Sequence, residues 1–374
     1  MQASNGIPFN DLSRTPSDVR AEIDAALARV LASGWFMLGP ENEAFQAELA
    51  AYLGVSEVVP LANGTDALEL ALAAVGVVQG DHVVTVANAG AYGTIATRLL
   101  GGIPVYAEID ETTLLPTAEL VRAAIESAPE KPKAMIVTHL YGAMAPVVEI
   151  VAVAREYGIA VVEDCAQSLG ARRGARAAGT FGDIATTSFY PTKNLGALGD
   201  AGAVYTDDAS LAERVRRLRQ YGWDSKYHIA FDHGRNSRMD ELQAAILRVK
   251  LGHLDDGNER RRQIHARYEA VSSPAARVVN SASESFIGHL AVLVAPDRDG
   301  FRAAMKDAGV GTDVHYPIPD HQQDFPTGAV RGVSLPVTER ISARIVSVPL
   351  FPELTEPEID RIAAALAVYG SADV

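Results

Sequence analysis

The sequence predicts an α/β protein, with a mostly parallel sheet in a large N-terminal domain and a smaller α+β domain after it. Between about residues 58 and 204, short β-branched segments alternate with segments rich in alanine and leucine, which is typical of β-α units. Near Arg238 a long stretch with apolar residues at helical spacing begins, and a shorter mixed pattern follows it. We therefore predict domains at 1–250 and 251–374, a division that the length of 374 residues allows.

The elements of the large domain come in pairs along the chain. Each strand-like segment precedes a helical one, so the natural assembly is a parallel sheet covered on both faces. Ligands of such sheets collect at the carboxyl ends of the strands. The pairs are VVPLA with TDALELALAAV, HVVTVA with TIATRLL, IPVYAEI with TAELVRAAIESA, and AMIVTHL with VEIVAVAREYG, and IAVVEDC and DIATTSF continue as strands.

The smaller domain begins beyond Ser272. The segment AVLVAP predicts a strand, and DGFRAAMKDAGV and EPEIDRIAAALAVY predict helices. The amphipathic stretch that starts with MDELQAAIL is expected to join the two domains. Two domains of unequal size imply a cleft between them.

The composition excludes several classes of protein. A net charge of -14 disfavours binding to nucleic acid or to anionic membranes, and no apolar stretch reaches the length of a membrane span. The N-terminal residues MQASNGIPFN lack a secretion signal pattern. One cysteine, Cys165, excludes a disulfide framework within the chain. We therefore expect a cytoplasmic enzyme without nucleic-acid or membrane partners.

The first chemical motif is Asn63-Gly64-Thr65-Asp66, at the start of the helix after VVPLA. Glycine permits a close backbone turn, and the amino end of a helix binds phosphate. The alternative is that Thr65 and Asp66 only cap the helix.

The second motif is Glu163-Asp164-Cys165-Ala166-Gln167, where two acids end the apolar strand IAVV. A buried carboxylate at that edge needs a cationic partner, for which a protonated pyridine nitrogen is suitable. A helix cap or a structural ion pair is the alternative interpretation.

The third motif runs from Ser188 to Asn194 and contains Lys193, beside a glycine-rich loop. A lysine that attacks a carbonyl must be neutral, and a pocket that removes water lowers its pKa to that end. The alternative is an ordinary surface lysine. His315 and His321 suggest metal ligands, but a third ligand is missing, so no metal site is predicted.

The order of these motifs resembles the DegT/DnrJ/EryC1/StrS family of sugar aminotransferases. The resemblance covers nearly the whole chain and includes further segments near both ends. It implies the aspartate aminotransferase-like fold, called fold type I, with pyridoxal 5'-phosphate (PLP) bound between the domains. The additional segments are Gly39-Pro40-Glu41, Gly199-Asp200-Ala201-Gly202, the run from Asn236 to Ala245, His315-Tyr316-Pro317 and Ser347-Val348-Pro349.

The resemblance also implies roles for single residues. Lys193 matches the lysine that is joined to the cofactor, and Asp164 matches the partner of the ring nitrogen. Gln167 is expected near the ring hydroxyl. Asn236 matches a phosphate ligand that the family donates across a homodimer interface. The residues that match the phosphate site within the chain are Gly64, Thr65 and Ser188.

Two positions depart from the family pattern. Tyr92 is the candidate aromatic residue for stacking on the cofactor ring, although its segment is two residues longer than is common; a core tyrosine is the alternative. Asp200 stands where many members have glutamate, which we expect to affect only the loop. Predicted substrate contacts are Tyr221, Arg238, His315, Tyr316 and His321; a packed loop around the histidines, and an ion pair of Arg238 with Asp240 or Glu241, are the alternatives.

The likeness implies transfer of an amino group from L-glutamate to a nucleotide-diphosphate sugar, most closely a dTDP-3-keto-6-deoxyhexose. Amination at carbon four of a dTDP, UDP or GDP sugar is the alternative. A dehydratase of the family would have histidine in place of Lys193. A PLP-binding sensor without catalysis would not need Lys193, Asp164 and Gln167 together. A nicotinamide dehydrogenase is disfavoured because no G-x-G-x-x-G follows the first strand.

Overall fold

The computed structural model describes residues 6–281, 283–325 and 333–371, and it confirms the predicted α/β fold. A seven-stranded sheet has the order β1-β9-β8-β5-β4-β2-β3. Its strands are β1 (Glu57–Leu61), β2 (His82–Val86), β3 (Ile103–Ala107), β4 (Ala134–Thr138), β5 (Ala160–Asp164), β8 (Ile184–Ser188) and β9 (Gly202–Thr206). Two short hairpins are added by β6 (Arg172–Arg173) with β7 (Arg176–Ala177) and by β10 (Trp223–Ser225) with β11 (His228–Ile229).

One strand breaks the parallel order. β9 pairs antiparallel with both β1 and β8, whereas the pairs from β8 through β3 are parallel. No helix lies between β8 and β9, so the chain turns back instead of crossing over. This return places Gly202 beside Ser188 and keeps the loop that contains Lys193 at the carboxyl end of β8.

Helices cover both faces of the sheet, whose strands are buried along most of their length. One face buries α3 and α7 with residues such as Leu70 and Val215, and the other buries α5 and α6 with residues such as Val121 and Ile150. The helices of the large domain are α1 (Ser17–Ser33), α2 (Pro40–Leu53), α3 (Gly64–Ala74), α4 (Tyr92–Leu99), α5 (Ala118–Ser127), α6 (Val147–Tyr157), α7 (Ala209–Leu218) and α8 (Glu241–Leu251).

The second region contains a three-stranded antiparallel sheet with four helices. The elements are α9 (Leu254–Glu269), β12 (Arg277–Val278), β13 (Ala291–Val294), α10 (Arg298–Asp307), α11 (Pro336–Ser342), β14 (Ile345–Val348) and α12 (Glu356–Ser371). The joining stretch is interrupted at Gly252 and His253, between α8 and α9. The domain boundary at residue 250 stays a prediction.

The N-terminal segment packs against this second region. Ile7 is 3 % exposed and belongs to the same apolar core as Ile264 and Phe301. Its N–H donates to the carbonyl oxygen of Gly309 at 2.8 Å, and its carbonyl oxygen accepts from Gly311 at 2.8 Å. The first described residues are therefore fixed to a part of the chain some three hundred positions later.

Within the described ranges, no helix is both long and apolar enough to cross a lipid bilayer.

Candidate active site

A cavity of about 600 Å³ lies at the carboxyl ends of β5 and β8, where the large domain meets the second region. This is the edge of the sheet at which the motifs predict a ligand. Side chains from both regions line the cavity. Among the predicted residues, the lining includes Gly64, Thr65, Tyr92, Asp164, Ser188, Lys193, His315 and Tyr316.

The amino end of α3 meets the end of β8 on one side of the cavity. A Cβ atom added to Gly64 would lie 2.6 Å from Cβ of Ser188, so only glycine allows this approach. The Asn63 side chain caps α3 by accepting from N–H of Asp66 at 2.8 Å. Capping and ligand binding are compatible, because the cap uses one N–H group and the first turn of the helix offers others.

Lys193 and Asp164 form the charged centre of the cavity. Burial lowers the pKa of Lys193 to about 8, and the negative charge of Asp164 opposes this shift. Burial also raises the pKa of Asp164, opposed by the N–H of Ala166 at 3.0 Å and by the charge of Lys193. A lysine in this state supplies a neutral amine near neutral pH, as carbonyl chemistry requires.

The two acids at the end of β5 differ in their partners. Glu163 is fully buried and accepts from His139 Nε2 at 2.9 Å and from three backbone N–H groups. The sequence left open which of the two acids is structural. Glu163 is the structural one because its oxygens are already bonded within the protein, whereas Asp164 faces the cavity. The three N–H groups belong to Gly179, Phe181 and Gly182.

His139, Glu163 and Cys165 place possible metal-ligand atoms within 4.8 Å of one another. Nδ1 of His139 accepts from N–H of Ala145 at 3.1 Å, so the proton lies on Nε2 and points at Glu163. Burial raises the pKa of the Cys165 thiol well above its usual value. Since the His139 ring and the Glu163 carboxylate already form hydrogen bonds within the protein, we interpret this cluster as a buried polar network rather than a metal site.

Tyr92 begins α4 at the mouth of the cavity. Its ring is 45 % exposed, and its centroid lies 6.4 Å from that of Tyr316 in an edge-to-face arrangement. The longer segment before Tyr92 forms a tight turn in which Gly90 and Ala91 have positive φ. The two tyrosines bring the large domain and the second region together above Lys193.

Asp320 holds that turn in place, although no motif in the sequence indicated this residue. Its carboxylate accepts from N–H of Ala91 at 2.9 Å and from the Thr94 hydroxyl at 2.7 Å. It thereby caps α4, whose own N-cap residue provides no side-chain bond. Asp320 is 1 % exposed, and burial raises its pKa to about 6.

Gln167 lies behind the wall of the cavity. Its Oε1 accepts from N–H of Tyr141 at 2.7 Å, and its Nε2 donates to the Tyr316 hydroxyl at 3.1 Å. Gln167 therefore contacts Tyr316, which lines the cavity, but does not line the cavity itself.

The two histidines of the 315–321 segment lie in different environments. His315 lines the cavity, bonds through Nδ1 with Ser347 Oγ at 3.0 Å, and has a pKa lowered by burial. His321 is turned away: its side chain is 3 % exposed and its Nε2 lies 3.0 Å from Glu339. The packed-loop interpretation thus fits His321, and the prediction of a substrate contact there is not supported by its position.

Three predicted residues lie outside the cavity of their own chain. Asn236 accepts from Arg238 Nε at 2.9 Å on the surface, and Tyr221 stacks on Trp223 with centroids 5.0 Å apart. Within the described residues, Arg238 forms no ion pair with Asp240 or Glu241, so that alternative is wrong. Glu241 instead accepts from the amino end of α2.

The cavity also contains residues that no motif indicated. Phe9 and Asn10 come from the N-terminal segment, Arg261 comes from α9, and His289 precedes β13. His289 Nδ1 bonds with Asn194 Oδ1 at 2.9 Å, next to Lys193. The sequence offered a signal for Arg261, since the period of α9 places it on the same face as the apolar residues Ile264 and Tyr268.

Comparison with known proteins gives concordant results. The model of the DegT/DnrJ/EryC1/StrS aminotransferase family matches residues 17–367. The chain is 41 % identical to the erythromycin biosynthesis sensory transduction protein EryC1 of Saccharopolyspora erythraea, over 96 % of this chain and 98 % of that protein. It is 39 % identical to the dTDP-3-amino-3,6-dideoxy-alpha-D-galactopyranose transaminase of Aneurinibacillus thermoaerophilus, over 97 % and 99 % of the two chains.

A solved structure agrees. The crystal structure of S. venezuelae DesV in complex with a ketimine intermediate superposes with a TM-score of 0.93 at 38 % identity, covering 98 % of this chain and 99 % of that one. The family match extends over both regions that line the cavity. The chain belongs to the DegT/DnrJ/EryC1/StrS aminotransferase family.

Proposed function

We propose that this protein is a PLP-dependent aminotransferase that converts a dTDP-3-keto-6-deoxyhexose into the amino sugar, with L-glutamate as the amino donor. The observation that carries the proposal is the pair of Lys193 and Asp164, which meet in one cavity with opposite pKa shifts caused by the same burial. Pairs of titratable groups with shifted pKa values cluster at catalytic sites.

The residues present fit PLP. The close approach of Gly64 to Ser188 brings a helix amino end to the cavity, which suits a phosphate. Asp164 presents a buried carboxylate that lacks an ion-pair partner within 4.0 Å among the described residues, which suits a pyridinium nitrogen. Lys193 presents an amine whose lowered pKa suits an aldehyde. Bound there, the cofactor would supply an electron sink for the negative charge that develops on the substrate carbon.

Lys193 would act as the proton carrier of the reaction. Its neutral amine would take a proton from the substrate carbon, hold it on Nζ, and then give it up again during the same reaction. Asp164 keeps its charge close to the ring and would hold the ring nitrogen protonated. Tyr92 and Tyr316 line the same cavity as Lys193 and would limit the access of water to it.

The nucleotide and the ring carbon are supported by likeness. The relative from Aneurinibacillus thermoaerophilus is named for a dTDP-3-amino sugar, and it matches almost the full length of both chains. Purified enzyme given PLP, L-glutamate and either a dTDP-3-keto or a dTDP-4-keto 6-deoxyhexose should aminate the first. Turnover of the 4-keto sugar alone would favour the alternative of amination at carbon four.

We also propose a homodimer with shared active sites. Asn236, Tyr221 and Arg238 do not line the cavity of their own chain. Tyr221 contacts Trp223, which contacts the exposed Tyr227 and pairs with the exposed Ile229. A mixture of Lys193→Ala and Asn236→Ala chains, refolded together, should recover activity that neither variant has alone. Failure of every such mixture would indicate that each chain forms its own complete site.

The single buried cysteine suits a reducing compartment, so we propose that the enzyme works in the cytoplasm.

The second candidate function is that of a sensor or regulator, which the name of EryC1 suggests. Such a protein has no need for a lysine with a lowered pKa next to a buried carboxylate. The amino-transfer proposal therefore has the stronger physical support.

The deciding experiment is the visible absorption spectrum of the protein with PLP, for wild type and for Lys193→Ala. We expect a band in the wild type that L-glutamate bleaches, and no such band in the variant. A band that glutamate leaves unchanged would reject the donor, and the absence of any band would reject the cofactor and favour the sensor.

A further inference from the structure

Arg261 is a buried cation that the reaction described above does not use. Its side chain belongs to α9, is 7 % exposed, and lines the same cavity as Lys193 and Asp164. No carboxylate lies within 4.0 Å of its guanidinium among the described residues. The charge of Glu353 acts on Arg261, but the two form no ion pair within 4.0 Å. A buried charge without a directly bonded counter-charge is costly, so a ligand that pairs with it would stabilise it.

The hydrogen bonds of Arg261 use only one of the three nitrogen atoms of its guanidinium. Nη1 donates to the carbonyl oxygen of Leu350 at 2.6 Å and more weakly to those of Gly288 and His289 at 3.4 and 3.5 Å. Nε and Nη2 have no partner in the part of the chain that the structure describes, and neither is sealed from solvent. The carbonyl groups thus fix the guanidinium from one side while two donors remain open.

The open donors border two cavities. The second cavity, of about 410 Å³, shares Lys193 and Arg261 with the first one. The second cavity lacks Gly64, Ser188 and Asp164, the residues proposed to hold the cofactor, all of which line the first cavity. A ligand of Arg261 that reacts at the cofactor therefore belongs in the first cavity.

Arg261 lines the same cavity as Lys193, and His289 lies between them. The carbonyl oxygen of His289 is 3.5 Å from Arg261 Nη1, and its Nδ1 bonds at 2.9 Å with Asn194, next to Lys193. Burial lowers the pKa of His289, and the positive charges of Lys193 and Arg261 lower it further. A ligand whose amino group meets Lys193 can therefore present a carboxylate to Arg261. Asp313, near Nε2 of His315 at 3.8 Å, is the opposing charge on this wall.

We infer that Arg261 binds the carboxylate of the amino donor in the first half of the reaction, through the fork formed by Nε and Nη2. This inference rests on the proposed function and names the donor subsite within it. Arginine donors in this arrangement match the two oxygens of a carboxylate.

Two reagents that share one nucleophile test the inference. Aminooxyacetate and methoxyamine both attack the lysine-bound cofactor through the same –O–NH2 group, but only aminooxyacetate has a carboxylate. The measured quantity is the ratio of their second-order rate constants, followed by the loss of the visible band. In the wild type we expect aminooxyacetate to react faster, and in Arg261→Gln we expect the ratio to fall by about 10-fold or more, since hydrogen bonds to charged groups are strong.

Two variants serve as controls. Arg260→Gln removes the neighbouring arginine, which pairs with Glu356 on the surface at 2.6 Å, and should leave the ratio unchanged. Arg261→Lys keeps a charge and one donor for Leu350 and should give an intermediate ratio, which guards against misfolding of the glutamine variant.

The outcomes distinguish failure of the donor subsite from failure of the proposed function. Equal rates for the two reagents in the wild type, or an unchanged ratio in both Arg261 variants, would overturn the inference while leaving the cofactor intact. A wild type without any visible band would remove the proposed function and the donor subsite with it.

Discussion

The two walls of the cavity are built in different ways. On the large-domain wall, Gly64, Asp164 and Ser188 each stand at the end of a helix or strand of the central sheet. On the opposite wall, Tyr316 and Asp320 belong to a segment with little regular structure, held by bonds to Gln167, Ala91 and Thr94. The regular frame of the sheet therefore positions the first wall, whereas the second wall depends on contacts between distant parts of the chain.

The strongest test of this difference is on the large-domain wall. Asp164→Asn keeps the shape but removes the charge, so turnover with L-glutamate should fall by about 10²-fold or more, the scale of 3–5 kcal/mol for breaking a buried charge pair. Single-turnover loss of the visible band measures it. Asp183→Asn is the matched control, because Asp183 accepts from N–H of Val161 near the other end of β5. Equal losses in the two variants would deny Asp164 a special role.

The pH dependence of cofactor uptake tests Lys193 on the same wall. The neutral amine is the reacting form, and burial lowers the pKa of Lys193 to about 8. The rate at which the apoprotein gains the visible band should therefore rise about tenfold per pH unit below pH 8 and level off above it. A rise that continues to pH 10 would show an ordinary lysine.

The opposite wall should give a smaller, graded effect. Asp320→Ala leaves N–H of Ala91 without its acceptor and the Thr94 hydroxyl with Tyr106 as its remaining partner, which costs about 1–3 kcal/mol. We expect this loss of free energy to weaken the binding of PLP, because the turn that orients Tyr92 becomes less well held. A titration of apoprotein with PLP measures it.

Asp320→Asn is the control for that substitution. The amide can still accept from Ala91 and donate to Thr94, so binding should stay close to wild type. If Asn and Ala weaken binding equally, the charge of Asp320 matters rather than its hydrogen bonds.

The smallest effect is expected at His321. Its side chain faces Glu339 and Tyr106 instead of the cavity. His321→Gln should change KM for the nucleotide sugar by less than about twofold. A matched His315→Gln variant should raise KM, because His315 lines the cavity. A large change at His321 and none at His315 would reverse the assignment made from the structure.

The same contrast explains what could be predicted from the sequence. Gly64, Asp164, Ser188 and Lys193 follow from patterns of a few residues, because the ends of parallel strands meet at one edge of the sheet. The residue pattern alone did not separate the roles of Glu163 and Asp164, and only the family resemblance pointed to Asp164. Adjacent residues of a strand point to opposite faces, and their hydrogen-bond partners show which one is used within the protein.

For the opposite wall, the sequence indicated that the segment 315–321 belongs to the site, but it did not indicate which contacts hold that segment. Asp320 and Ala91 are 229 positions apart, and no periodicity encodes that bond. His315 and His321 look alike in sequence, yet only the packing of α11 around Glu339 turns one of them away. β9 was missed as an antiparallel strand because its glycine-rich approach hides the strand pattern.

The pairing of Ile7 with Gly309 and Gly311 has a consequence for biosynthesis. Phe9 and Asn10 reach the cavity only when Ile7 is in place, and the partners of Ile7 are translated some three hundred residues later. At about 5–20 residues per second, a ribosome needs roughly 15–60 s to make that partner segment. The large domain can form its sheet in that interval, but the part of the cavity lined by Phe9 and Asn10 is fixed only after Gly309 and Gly311 have been made.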